Sequence, residues 1–408
     1  MYDKTVIKNY ARLVLKFGVN LQKGQGLEIA CSTENASVAE IFVKEAYELG
    51  AKIVSMRWTN QRIQAINYEK GELSELTNIP KWFIDSKNFL LKENYCYIAI
   101  DDDDPFAFNS VSAEKLSKIA TARSKALKNF SNSVMNNGIR WCVVSLPSKN
   151  WAKKVFPNTK NPKKLLFNEI AKCTYLLEKD PIKKWEEHVR TLNEHATALN
   201  HYNFEYLHFK NGLGTNLKVG LANEHVWLSA KEKSVDGIEF IANMPTEEVF
   251  TAPHKLKTNG VVKSAMPLSF NGQIIEDFTL TFKDGKIVKA TAKRGDGILK
   301  GLLSIDKGCK YIGEVALIGK NSPIAKSGIL FYNTLFDENA SCHLAIGKAY
   351  PTTVKNGEKL SVKELKELGA NDSVEHVDFM IGTPDLDVIG ITHDGKEIPV
   401  FVSGDWVI

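Results

Sequence analysis

Residues Gly26–Trp58, GLEIACSTENASVAEIFVKEAYELGAKIVSMRW, decide the class of the first half of the chain. GLEIAC (26–31) is a short apolar run that reads as a buried strand. NASVAEIFVKEAYELG (35–50) carries apolar residues at helical spacing and stops on a glycine, and KIVSMRW (52–58) is again a strand. Strand, helix and strand joined by short connections make a βαβ unit, which requires a parallel sheet. The pattern recurs as CYIAID (96–101), a helix from about Ala113 to Asn129, and RWCVVSL (140–146). The first half is therefore expected to be α/β and doubly wound in type. Upstream, Val6, Tyr10, Leu13, Val14 and Phe17 fall on one helical face, and Asn20 to Gly26 ends that helix.

Beyond it, Asp180 opens a charged segment, DPIKKWEEHVRTLNEHATALNHYN, whose spacing predicts a long connecting helix with Trp185, Val189, Leu192 and Ala196 inward. His188, His195 and His201 are expected at the surface or a domain seam. After Asn203 the texture changes to period-two alternation with tight turns. Asn271-Gly272, Asp284-Gly285 and Asp394-Gly395 stand at hairpin positions. The second half is thus expected to be a mostly antiparallel α+β domain. The expected division is 1–195 for the α/β domain and 196–408 for the β-rich one.

Composition narrows the function. The 408 residues are 43% hydrophobic and 25% charged, ordinary for a globular chain with ample core. A net charge of +5, with lysines spread among acids, does not indicate nucleic acid binding. The six cysteines lie far apart with no CxxC, so reduced thiols in a cytoplasmic protein are expected. The first twenty residues are an amphipathic stretch without an apolar signal core, and no run reaches membrane-spanning length, so neither export nor a membrane is expected. Asp101 to Asp104 follows a strand end but has no partner histidine, which favours a solvated loop over a metal site. Gly24 and Gly26 form no dinucleotide fingerprint.

Chemistry collects in four stretches of the second half. In NMPTEEVFTAPHK (243–255), Glu247-Glu248 leads directly into Val249-Phe250, and a carboxylate beside a buried strand costs several kcal/mol unless it is paired or metal-bound. In YIGEVALIG (311–319), Glu314 shares a strand face with Ile312 and Ala316, where apolar residues point. FYNTLFDENASCHLAIGKAY (331–350) breaks at Asp337-Glu338-Asn339, and Asp337 or Asn339 can cap a following helix. On that helix Asn339, His343 and Tyr350 would share one face. In VEHVDFMIG (374–382), His376 and Asp378 project to one face about 7 Å apart along a strand, with Val377 and Phe379 inward. A lone histidine near apolar residues is more often a hydrogen-bonded core residue than a ligand. Four such stretches together are the inventory of a metal site.

Carboxylates and imidazoles without thiolate suit zinc, cobalt or manganese. Glu248, Glu314, His343, His376 and Asp378 exceed what one catalytic zinc takes and suffice for two ions about 3.5–4 Å apart. The residues alone do not choose between Glu247 and Glu248. Hydrolysis of an amide by activated water follows from such a pair.

MPTEEVFTAPHK, IGEVALI, FYNTLFDENASCHLAIGKAYP and HVDFMIG also resemble the signature segments of the thermophilic-type metallo-aminopeptidases, the aminopeptidase T, aminopeptidase S and PepS family. The resemblance covers most of the second half in order and spacing and extends more weakly over the first. It implies a homodimeric metallo-exopeptidase that removes N-terminal residues from peptides, with two zinc or cobalt ions. The family's ligand positions fall on Glu248, Glu314, His343, His376 and Asp378, and its active-site tyrosine on Tyr350. Tyr350 is then expected to donate to the developing oxyanion. Glu247, Glu338 and the ligand carboxylates are candidate general bases, and His254 is expected to be an exposed loop histidine. The competing readings are a metallohydrolase of another amide or ester, and a non-catalytic binding protein whose acids and histidines form buried salt bridges.

Overall fold

A computed structural model describes residues 3–270 and 273–408. The chain divides into two units. One comprises the residues up to His188 together with Lys231–Pro245, and the other Val189–Ala230 with Thr246–Ile408.

In the first unit, β1 (Gly26–Ser32), β2 (Ile53–Thr59), β3 (Cys96–Asp101) and β4 (Trp141–Ser145) form one parallel sheet in the order β2-β1-β3-β4. Helix α1 (Lys4–Leu13) precedes β1 and α2 (Ala36–Glu48) joins β1 to β2, as their apolar spacing predicts. Alternate residues of three strands enter the core, Leu27, Ile29 and Cys31 from β1, Ile98 and Ile100 from β3, Cys142 and Val144 from β4, while the edge strand β2 buries none. Tyr10 and Phe42, edge to face at 6.0 Å, belong to the same buried set. Three helices that the sequence reading did not identify, Gln61–Lys70, Leu73–Thr77 and Lys81–Lys92, fill the crossover from β2 to β3. The first two contain no buried residue, so they carry little apolar periodicity to read.

The Asp101–Asp104 stretch is not simply a solvated loop. Asp102 is buried, and its carboxylate accepts hydrogen bonds from Ser32 Oγ and from Asn35 Nδ2 at 2.8 Å. Burial pushes it up to about 6. It ties the end of β3 to the end of β1.

The helix from Pro181 to Tyr202 buries Trp185, Val189, Leu192 and Ala196 as expected. His201 is exposed. His188 lies against Tyr175 and Trp185, and His195 stacks on Trp406 at 4.2 Å.

The second unit contains a nine-stranded antiparallel sheet and a separate four-stranded one. In the larger sheet, Asp284-Gly285 joins Gln273–Lys283 to Lys286–Arg294 with φ of 49° and 79°, the mirror-image turn that suits a hairpin. Gly395, at φ 81°, turns the chain between Asp387–Ile391 and Glu397–Val402. The Asn271-Gly272 turn lies outside the described residues.

The four-stranded sheet is formed by Val249–Thr251, Ile312–Leu317, His343–Gly347 and His376–Met380, all antiparallel. Its third strand corrects the helix expected after Asp337. The helical turn Thr334–Asp337 and the 3-10 turn Glu338–Ala340 end at Ser341, and His343–Gly347 is a strand buried throughout. Leu344, Ala345 and Ile346 tolerate either state, and hydrogen bonding to strands on both sides decides for the sheet. Asn339, His343 and Tyr350 therefore do not share a helix face.

Candidate metal centre

Register places the site. Residues directly opposite in antiparallel strands point to the same face. Glu314 is opposite Ala345, and Ala345 is opposite Asp378. His343 lies between Ala316 and Met380, and His376 is opposite Gly347. Glu314, His343, His376 and Asp378 thus project from one face, interleaved with Ala316, Ala345 and Gly347. Phe250, opposite Ala316, brings the neighbouring strand to the same face, and Glu248 lies two residues before it. Small residues between the acids and imidazoles leave room beneath them. Val377 and Phe379 point away and are buried.

The structure brings five of the candidate residues together. His343 Nε2 lies 3.2 Å from Glu248 Oε2, 3.4 Å from Glu314 Oε1 and 4.0 Å from Asp378 Oδ1. His376 Nε2 lies 3.3 Å from Asp378 Oδ1 and 3.8 Å from Glu314 Oε2. Two donor triads result, Glu248–Glu314–His343 and Glu314–His376–Asp378, each with ligand atoms within 4.8 Å of one another. Glu314, 4% exposed, belongs to both.

Both imidazoles are oriented for coordination. His343 Nδ1 is 2.9 Å from the Glu338 carbonyl oxygen, and His376 Nδ1 is 2.7 Å from that of Lys348. A carbonyl can only accept, so each Nδ1 carries a hydrogen and each Nε2 faces the carboxylates.

The electrostatics call for cations. Burial and the carboxylates around it drive Glu338 well above the usual range, and burial raises Glu314. Burial would depress both histidines, yet Glu248 and Glu314 raise His343 strongly, and Asp378 with Glu314 pushes His376 up to about 10. Burial would raise Asp378, but the adjoining His376 brings it below the ordinary range. Asp378 Oδ1 is buried and makes no hydrogen bond of good geometry, although His376 Nε2 is near. Protons on the imidazoles only partly offset this many buried acids, and hard or borderline divalent ions fit the donor set.

Glu338 enters this site as more than a candidate base: the charges acting on it come from Asp378, Glu248, His343 and Glu314. The sequence signal for it is the polar break Asp337-Glu338-Asn339 a few residues ahead of His343. Glu247 is buried, and its N–H donates to Asn339 Oδ1 at 2.7 Å. Tyr350 follows the His343 strand instead of ending a helix, with its ring 4.8 Å from that of His376 and 6.3 Å from that of Phe250. His254 is no exposed loop histidine. It is half-buried at the start of the strand Pro253–Lys263, and its Nδ1 accepts from the Leu256 N–H.

The profile of the thermophilic metalloprotease (M29) family matches residues 3–406. The chain is similar to aminopeptidase PepS of Streptococcus thermophilus, 42% identical over 99% of this chain and 98% of that protein. It is also similar to aminopeptidase AmpS of Bacillus subtilis, 41% identical over 98% of each. Its fold superposes on the solved structure of wild-type AmpT from Thermus thermophilus with a TM-score of 0.92 at 33% identity, over 99% of this chain and all of that one.

Proposed function

From the premise that the chain belongs to the thermophilic metalloprotease (M29) family and is a metallo-aminopeptidase, we propose that it releases N-terminal residues from short peptides at a centre of two divalent ions. The observation that carries this reading is the pair of donor triads sharing Glu314. Glu248, Glu314 and His343 would hold one ion, and Glu314, His376 and Asp378 the other. Glu338 lies near enough to feel the charges of Glu248, Glu314, His343 and Asp378. Four carboxylates then balance two dications, with the imidazoles neutral. Zinc, cobalt and manganese all suit this donor set.

When bound, such ions polarise a carbonyl oxygen and bring the pKa of water toward neutrality. The chain's own groups do the rest. Glu247, next in sequence to a ligand, accepts the proton of the attacking water and passes it to the leaving amine. The Tyr350 hydroxyl donates a hydrogen bond to the carbonyl oxygen as negative charge develops there. The free α-amine of the substrate would be held by one of the ions or by a nearby carboxylate, which is what restricts cleavage to the first residue. We assign access control and homodimer formation to the α/β half, and a cytoplasmic location in keeping with six buried free thiols. Among the described residues no helix is long and apolar enough to cross a membrane.

A panel of aminoacyl-anilides, free and N-acetylated, tests the proposal with zinc, cobalt and manganese supplied in turn. Turnover that acetylation abolishes supports it. Equal turnover of both forms overturns the aminopeptidase assignment for this site.

A further inference from the structure

Asn339 is completely buried, and its side chain joins two segments that meet at the acid cluster. Its Oδ1 accepts the Glu247 N–H at 2.7 Å, and its Nδ2 donates to the Leu335 carbonyl at 2.9 Å. Neither partner can exchange roles, so the amide has one orientation. The Asn339 carbonyl accepts from Ser322 Oγ at 3.1 Å, which fixes the residue from a third side. The turn that carries Asn339 is itself rigid, because the buried Asp337 carboxylate accepts the N–H groups of Phe331 at 2.8 Å and Asn333 at 3.0 Å.

The residues on either side of this link are those that face the cluster. Glu338 immediately precedes Asn339, and His343 follows four residues later. On the other segment Glu248 follows the clamped Glu247, just before the Val249–Thr251 strand. Within that strand, sheet hydrogen bonds fix the backbone. Ahead of it, the Asn339 amide receives the N–H of Glu247.

We propose that Asn339 is a positioning residue of the metal centre. Its amide sets Glu247 and Glu248 against Glu338 and His343, and so fixes the donor spacing for the ion on the Glu248 side. This rests on the two-ion reading above. Groups that orient metal ligands typically contribute about 10- to 100-fold in metal affinity.

The test titrates zinc, in competition with a chromophoric chelator, into metal-free wild type, Asn339→Ala and Asn339→Asp. Anilide kinetics at saturating zinc and circular dichroism accompany each variant. Asn339→Ala is expected to weaken one of two zinc equivalents by at least about tenfold and leave the other within about threefold. At saturating zinc its kcat falls while KM stays near the wild-type value. Asn339→Asp, held neutral by complete burial, keeps the acceptor for the Glu247 N–H and an O–H donor toward the Leu335 carbonyl, and is expected to recover most of both losses. Should Asn339→Ala not fold, the Asp variant decides, because retained affinity for both equivalents is then the required result. Unchanged affinity for both equivalents in Asn339→Ala overturns the clamp alone, as does an Asp variant no better than Ala. Wild type that takes up no zinc overturns the metal reading and this placement together.

Discussion

Glu314 and Asp378 stand on the same face of one sheet with only Ala345 between them. Antiparallel neighbours on one face lie about 4.5–5.5 Å apart at Cβ, so the two carboxylates reach over a methyl group toward the same volume. Two acids this close in a buried place need their charge offset, by protons on the acids and imidazoles or by bound cations.

Removing the shared donor should empty the centre without unfolding the sheet. In Glu314→Ala, and likewise in His376→Ala, kcat/KM is expected to fall at least about 100-fold, beyond the effect of a group that merely orients a ligand. Bound metal should fall below two equivalents per chain, with the far-ultraviolet circular dichroism retained. Either variant keeping most of its activity with metal supplied contradicts the ligand assignment.

Ion uptake should be coupled to proton release. In ion-free protein His376 is raised from 6.5 to about 10, so the folded chain holds a proton there that an incoming ion must displace. Apparent affinity for zinc should therefore rise with pH across that window, and calorimetry in buffers of different ionisation enthalpy should register protons released near pH 8. The same raised value stabilises ion-free protein fully below about 6.5, and that contribution fades as pH climbs through about 10. After chelation the melting temperature should drop toward alkaline pH. A flat affinity profile down to pH 5 contradicts ligation by His343 and His376.

Tyr350→Phe keeps the ring beside His376 and removes only the hydroxyl. Loss of one donor to a developing oxyanion typically costs about 10²–10³ in kcat, and KM should stay close to that of the wild type. A variant with undiminished kcat leaves Tyr350 as a packing residue.

Much of this was legible in the sequence. The βαβ spacing of Gly26–Trp58 gave the parallel sheet, because buried strands and a glycine-stopped helix leave separate periods. Glu314 stood out because a carboxylate sat where alternation required an apolar side chain. His343 stands out in the sequence by its company, but its element does not: HLAIG suits helix or strand locally, and only its pairing with 312–317 and 376–380 settles the matter. Glu338 reads only as one of several candidate bases and Asn339 as a cap or a residue on the His343 face, since the hydrogen bond from Glu247 to Asn339 and the charges around Glu338 are not encoded in local spacing. The 231–245 excursion into the first unit was equally hidden, as its hairpin has strands of three residues each.

Anomalous diffraction from crystals grown with zinc tests the central claim most directly. Two peaks about 3.5–4 Å apart, each within coordination distance of Glu314, are the predicted result. Protonated histidines closed onto Glu248, Glu314 and Asp378 with no peak between them would contradict it.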